Sequence, residues 1–265
     1  MIGFWAWHAA CGMRRGDVSG GKMRWLRAMC GALLLWAGMA GAAQYRVDLI
    51  QLEPWAFANP DPASREPFAG IIVELLKEFE KRSGHTTRKT LTPYLRVERD
   101  LASAHTDFTI IAWDDARAAF ASKGVVIVPL EFGVRAKKGV ELKSYEDLRP
   151  AVISVSRGLR IEPRFDADET LKKDWVVDYT TGINKTLANH GTDAVAGSLV
   201  AINYIIKKIG AQERFGDALV LRTVHLSVTF AKKSPLIDSE ASVNAVFKAI
   251  VEDGTAGRIV DKWLK

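Results

Sequence analysis

Trp113-Asp114-Asp115-Ala116-Arg117 is the densest run of groups able to do chemistry in this chain. Two adjacent carboxylates can hold a cation, and the faces of Trp113 and Trp55 would add to the attraction, because an aromatic ring presents a negative face. Arg117, with Arg157 and Arg160 further along, offers the opposite option. A planar guanidinium grips an anion through two parallel hydrogen bonds. Both are binding chemistries, and the residues alone leave them open. Catalytic patterns are thin. His85, His105, His190 and His225 lack H-E-x-x-H or any other close metal spacing, and no G-x-S-x-G, phosphate-binding loop or dinucleotide fingerprint is found. Asp166, Asp168 and Glu169 cluster, but acids gather at helix N-termini for electrostatic reasons, so a calcium site is not expected. The chain is therefore expected to be no enzyme and to carry no metal or cofactor.

Where these residues work is suggested by residues 23–43, MRWLRAMCGALLLWAGMAGAA. A basic start, an apolar stretch and a small-residue finish form the layout of a secretory signal peptide, with cleavage expected near Ala42 or Ala43 and a periplasmic destination. The uncharged run is shorter than the ~20 residues that span a bilayer. Residues 1–22 show no helical or strand period and are expected to be an extension annotated ahead of the natural start at Met23. Taking residues 1–43 away removes five of the 37 Lys and Arg and one of the 31 Asp and Glu, leaving 32 against 30. A net charge of +2 in place of +6 takes away the main support for nucleic-acid binding. Both cysteines, Cys11 and Cys30, go with the leader, so the mature chain has no disulfide framework.

The elements that must position the candidate residues alternate between strand and helix. Residues 45–52 form a strand, and a loop with four prolines, EPWAFANPDPASREP, comes after it. Residues 70–82 place Ile71, Ile72, Leu75, Leu76 and Phe79 on one helical face, and Gly84 ends the helix. A helix over 94–104 and a buried strand over 107–112 come next. An internal echo, LASAHTD at 101–107 and LANHGTD at 187–193, suggests two similarly built lobes. The second would contain a short helix at SYEDL, a strand at 151–156, a helix over 182–189 and a strand from Asp193. Residues 223–231 alternate as a strand, and two helices close the chain. Ordered crossings at 129–137 and 222–231 would join the lobes. Alternation of this kind indicates parallel α/β units.

The order of motifs resembles the family 3 extracellular solute-binding proteins, the periplasmic receptors of amino-acid-type ABC importers. EPWAF resembles the aromatic loop after the first strand, FAGIIVELLKEF the helix after it, and DDAR stands in the place of the family's T-x-x-R. SYEDL, GTDAVAGSLVAINY and DGTAGRIVDKW are similar to the second-lobe opening, the second-lobe binding strand and the C-terminal signature. ISVSRGLRIEPRFDADE resembles an atypical branch. The resemblance implies a two-lobed periplasmic-binding-protein fold of type II: two parallel or mixed sheets, flanking helices and a hinge of two crossing segments. Lobe 1 would be residues 44–132 plus 226–265, and lobe 2 residues 133–225. It also implies a monomer that captures a small polar ligand between the lobes and delivers it to an ABC permease. A sensory protein docking to a membrane receptor, or less favoured a cleft dehydratase, are the alternatives.

The same resemblance assigns Arg117 to the ligand carboxylate. The pattern then departs from the family: Asp114 replaces a Thr, the loop before Arg117 is short, and Ser198 replaces the Asp that binds an ammonium. Arg157-Gly158-Leu159-Arg160 replaces a Gly-Ser/Thr loop. These departures favour a small organic acid or a modified amino acid. Trp55 is expected on the ligand wall. Trp113, Asp114, Ser198 and Arg157 are further candidates, as is Phe57, for which a place in the core is the favoured reading. Asp107 and Asp193 are expected to be turn residues that satisfy backbone donors.

Overall fold

A computed structural model describes residues 41–265, so residues 1–22 and all but the last three residues of the expected leader lie outside the described part. The chain divides into residues 1–42 and a compact unit, Ala43–Lys265, which holds all the described strands and helices. Strand β1 (Gln44–Ile50) buries Tyr45, Val47, Leu49 and Ile50. The proline loop after it holds a small hairpin, β2 (Phe57–Ala58) paired with β3 (Phe68–Ala69). Helix α1 (Ile71–Ser83) comes next, with the expected apolar face buried. Its first amides donate to the loop, Ile71 N to Pro54 O at 3.0 Å and Ile72 N to Trp55 O at 2.9 Å. Those bonds satisfy donors that a helix start leaves free and pin Trp55 against the core. Gly70 permits the approach: a Cβ there would lie 2.5 Å from the Trp55 carbonyl oxygen, and its φ is 124°.

Strand β4 (Thr86–Thr92), helix α2 (Tyr94–Ala102) and strand β5 (Phe108–Ala112) complete the first half. β4 carries no apolar run, which is why its residues show no strand signal. It pairs parallel to β1, whose other edge pairs parallel to β5. The second half contains a 3-10 turn (Tyr145–Leu148), β7 (Val152–Ser156), α3 (Pro163–Ala167), β8 (Lys172–Val176), α4 (Tyr179–Leu187), β9 (Ala194–Ser198) and α5 (Leu199–Lys208). Helix α4 begins before residue 182 because the Asp178 carboxylate caps it, accepting from Thr181 N at 2.8 Å. The C-terminal helices α6 (Glu240–Glu252) and α7 (Thr255–Leu264) return to the first half. Phe247 of α6 stacks on Phe79 of α1 at 5.0 Å, and Trp263 of α7 donates to Glu74.

The expected crossings lie inside two long strands, β6 (Ala121–Lys137) and β10 (Phe215–Ala231), antiparallel to each other. They join what the sequence suggests are two sheets into one eight-stranded sheet of order β4-β1-β5-β10-β6-β9-β7-β8. The register between them slips at several points, including Val220/Arg222 and Leu226/Ser227, and such bulges let a long ribbon bend and twist. The internal echo has a matching physical basis in each half. Asp107 Oδ2 accepts Arg46 N of β1 at 2.7 Å, and Asp193 Oδ2 accepts Val152 N of β7 at 2.9 Å. Before each aspartate the chain passes through the left-handed region, at Ala104 (φ 55°) and at Asn189 (φ 53°).

Candidate ligand-binding site

Past β5 the chain makes a 3-10 turn, Asp115–Ala119, capped by the Asp114 carboxylate, which accepts from Ala116 N at 3.0 Å. The turn folds Arg117 back into the protein, where it is 1% exposed. Its guanidinium donates to Ala112 O, to the Tyr94 hydroxyl and to Glu98 Oε1, each at 2.7 Å. Tyr94 and Glu98 both come from α2, four residues apart and so on one face. Glu98 also accepts from Arg160 Nη2 at 2.5 Å, and Arg160 Nε lies 3.2 Å from Asp114 Oδ2. Arg160 lies beyond the end of β7, so the chain Arg117–Glu98–Arg160–Asp114 ties the two halves of the sheet together. A second tie, Lys208 to Glu53 at 2.8 Å, is more exposed.

Beneath this network lies a cavity of about 40 Å³, room for a few waters, since one water needs roughly 10–15 Å³ on the same measure. The first half contributes Ile50, Leu52, Trp55 and Ile72, then Tyr94 and the end of β5. Leu130, Phe132 and Leu226 of the two long strands form its middle. Leu159, Tyr179 and Ser198 close it from the second half. No lining residue is charged. At Ser198 the polar geometry is specific: its N–H donates to the Tyr179 hydroxyl at 2.9 Å, while its own hydroxyl is buried without a partner among the described residues. Gly197, at φ 151°, makes room for that contact, because a Cβ there would lie 2.2 Å from the Tyr179 hydroxyl oxygen. Burial raises the Tyr179 pKa far above the ordinary tyrosine value, so the phenol stays protonated.

Of the candidates from the sequence, Trp55 (3% exposed) and Ser198 (1% exposed) line the cavity. Arg117 and Asp114 lie in the ion network beside it, paired within the protein, and are not among the lining residues. Trp113 is half-buried and donates through Nε1 to Asp115 at 2.8 Å. Phe57 lies apart from the cavity, half-buried and edge-on to Trp263 at 5.7 Å, and is not part of the buried core. Arg157 is exposed. Asp107 and Asp193 act as turn residues, as expected. Glu98, Tyr94 and Tyr179 were not singled out in the sequence. The Tyr94/Glu98 spacing, opposite a nearby arginine, is the signal that points to the first two. Nothing in the sequence marks Tyr179, which meets Ser198 only through the fold.

Solved structures share this architecture. A mutant of ArgBP from T. maritima superposes with a TM-score of 0.71 at 16% identity, covering 83% of this chain and 95% of that one. The GluR0 ligand-binding core in complex with L-glutamate gives 0.69 at 15% identity, covering 86% and 100%. A histidine kinase sensor domain with similarity to periplasmic binding proteins gives 0.69 at 17% identity, covering 84% and 96%. No protein-family model matches the sequence, and no curated protein matches it. The likeness is one of fold: an α/β, two-lobed periplasmic-binding-protein architecture with a large mixed sheet and flanking helices.

Proposed function

We propose that this protein is a periplasmic solute-binding protein that captures a small molecule between its lobes and hands it to an ABC permease. The reading assigns residues 44–132 and 226–265 to lobe 1 and 133–225 to lobe 2, joined through β6 and β10. The observation that carries it is the cavity to which both halves and both long strands contribute side chains. Pockets at such a junction are the usual place for a ligand that two lobes close upon. ArgBP and the GluR0 core, whose names record arginine binding and an L-glutamate complex, give the reading its precedent. Binding here is non-catalytic, and the working form is a monomer exported by its leader. Among the described residues no helix is long and apolar enough to cross a membrane.

A second reading, a sensory protein that presents its ligand state to a membrane receptor, is favoured by the histidine kinase sensor domain among the matching structures. A neighbouring permease and ATPase gene pair supports transport, and a neighbouring sensor kinase gene supports signalling. Capture itself is tested by thermal unfolding of the purified protein against a broad panel of amino acids, organic acids and neutral small molecules. A native-state ligand at a hundredfold its Kd stabilises by about 2.7 kcal/mol, so at least one compound raises the melting temperature. A panel without any response contradicts capture.

A further inference from the structure

We infer that the cavity selects a compact, uncharged molecule with an apolar body and one oxygen acceptor, and excludes zwitterionic amino acids. The inference rests on the binding reading above and names the ligand class of that same cavity. The lining holds no Lys, Arg, His, Asp or Glu. A carboxylate or ammonium placed there loses its water and gains no counter-ion, a cost that carbon contacts do not recover.

The charges nearest the cavity are largely matched: Arg117 Nε is buried without a partner among the described residues, but Arg117 is not part of the lining. Arg117 is held by Glu98, Tyr94 and Ala112 O, and Asp114 faces Arg160 while capping its own turn. A ligand carboxylate would have to displace Glu98 from a buried guanidinium and leave that second carboxylate close by. Glu98 thus fills, from within the chain, the role of an incoming anion.

The polar handle is Ser198. Its hydroxyl is buried and unpartnered among the described residues, and although Ser198 stands at the N-cap of α5 its side chain makes no capping bond. A buried hydroxyl without a partner is costly, and a ligand oxygen accepting from it removes that cost. Tyr94 and Tyr179 each accept one bond, from Arg117 and from Ser198 N–H, and keep their own protons to donate. Donors around carbon walls suit a ketone, ether or hydroxyl oxygen on a small ring, which the two lobes must part to admit, because the cavity as it stands has room for only a few waters.

The test is thermal unfolding of the purified protein with phenol, benzyl alcohol and cyclohexanone, against L-phenylalanine, L-glutamate and phenylacetate at equal concentrations. The neutral compounds raise the melting temperature and the charged ones do not. Ser198→Ala, which removes only the unpartnered hydroxyl, weakens benzyl alcohol roughly tenfold and leaves toluene, the same ring without oxygen, unchanged. Response to the charged compounds alone overturns the inference and leaves the binding reading standing. Silence from every compound, in this set and in the broad panel, overturns both. Equal weakening of benzyl alcohol and toluene in Ser198→Ala overturns the role given to the hydroxyl.

Discussion

Asp48 sits on β1 between Val47 and Leu49, 7% exposed, and its Oδ2 has no partner among the described residues. Burial pushes its pKa up to about 6, and the nearby negative charge of Asp100 adds to the rise, while Thr92 and Arg96 act against it. The ordinary value is 3.8, so between about pH 4 and pH 6 the folded state holds a proton that the unfolded chain releases. Stability is lost as pH rises through that window and is flat above it. Asp48→Asn removes the charge and keeps the shape. It should stabilise the protein at pH 7 by something on the order of 1–2 kcal/mol, and the gain should shrink towards pH 4. Urea unfolding of both proteins at the two pH values checks this, and a gain independent of pH contradicts it. Asp107 shows the opposite balance. Burial pushes it up, but Arg46, the Arg46 backbone amide and Ser234 outweigh that and hold it below the ordinary carboxylate range. Two buried carboxylates in one half thus differ because Asp107 has several donors, one of them charged, while Asp48 has only the help of Thr92 and Arg96 and leaves Oδ2 without a partner among the described residues. Neither difference was legible in sequence, where only the turn role of Asp107 could be read from its place before a strand.

At the scale of elements, the apolar periodicity that marks α1 and the echo that marks the two Asp-containing turns were legible, because each depends on neighbours in the chain. β4 was not, since its exposed face is polar and its pairing with β1 decides its state. The site was legible only in part. Trp55 is fixed by a local contact, the bond of its carbonyl to the start of α1. The Tyr179–Ser198 bond and the Arg160–Glu98 pair join distant segments, and no local pattern announces them. Arg160 is the tie between α2 and the segment after β7. Its side chain is 42% exposed, and a pair of that kind is worth roughly 0.2–1 kcal/mol and weakens in salt. Arg160→Ala leaves Glu98 with Arg117 and leaves the Asp114 cap intact, so the fold should persist while the halves part more often. The Ser198 amide, protected by Tyr179, should then exchange its hydrogen up to about fivefold faster. Lys208→Ala, in the more exposed tie, serves as the comparison and should change it less. Unaltered exchange in Arg160→Ala would show that the ionic chain does not hold the halves together.

For the whole molecule, the two-lobed architecture was legible as an order of motifs, but its physical unity was not. The suggested hinge segments form the C-terminal portions of two 17-residue strands that make one sheet of both halves. On the proposed reading, closure would bend a paired ribbon, with its register slips as the natural places to absorb the change. Arg117, Asp114 and Arg160 meet across the two halves, yet with Glu98 they neutralise one another and leave carbon facing the cavity. The reading of a receptor consequently turns on whether a ligand occupies that cavity. Methyl NMR of isoleucine-labelled protein, titrated with whichever small molecule gives the largest thermal shift, tests this most directly. Occupancy predicts that the methyls of Ile50, Ile72, Ile110 and Ile111, all in the cavity wall, move with ligand while exposed Ile209 stays still. Movement confined to surface methyls such as Ile209, with the cavity wall unchanged, would contradict it.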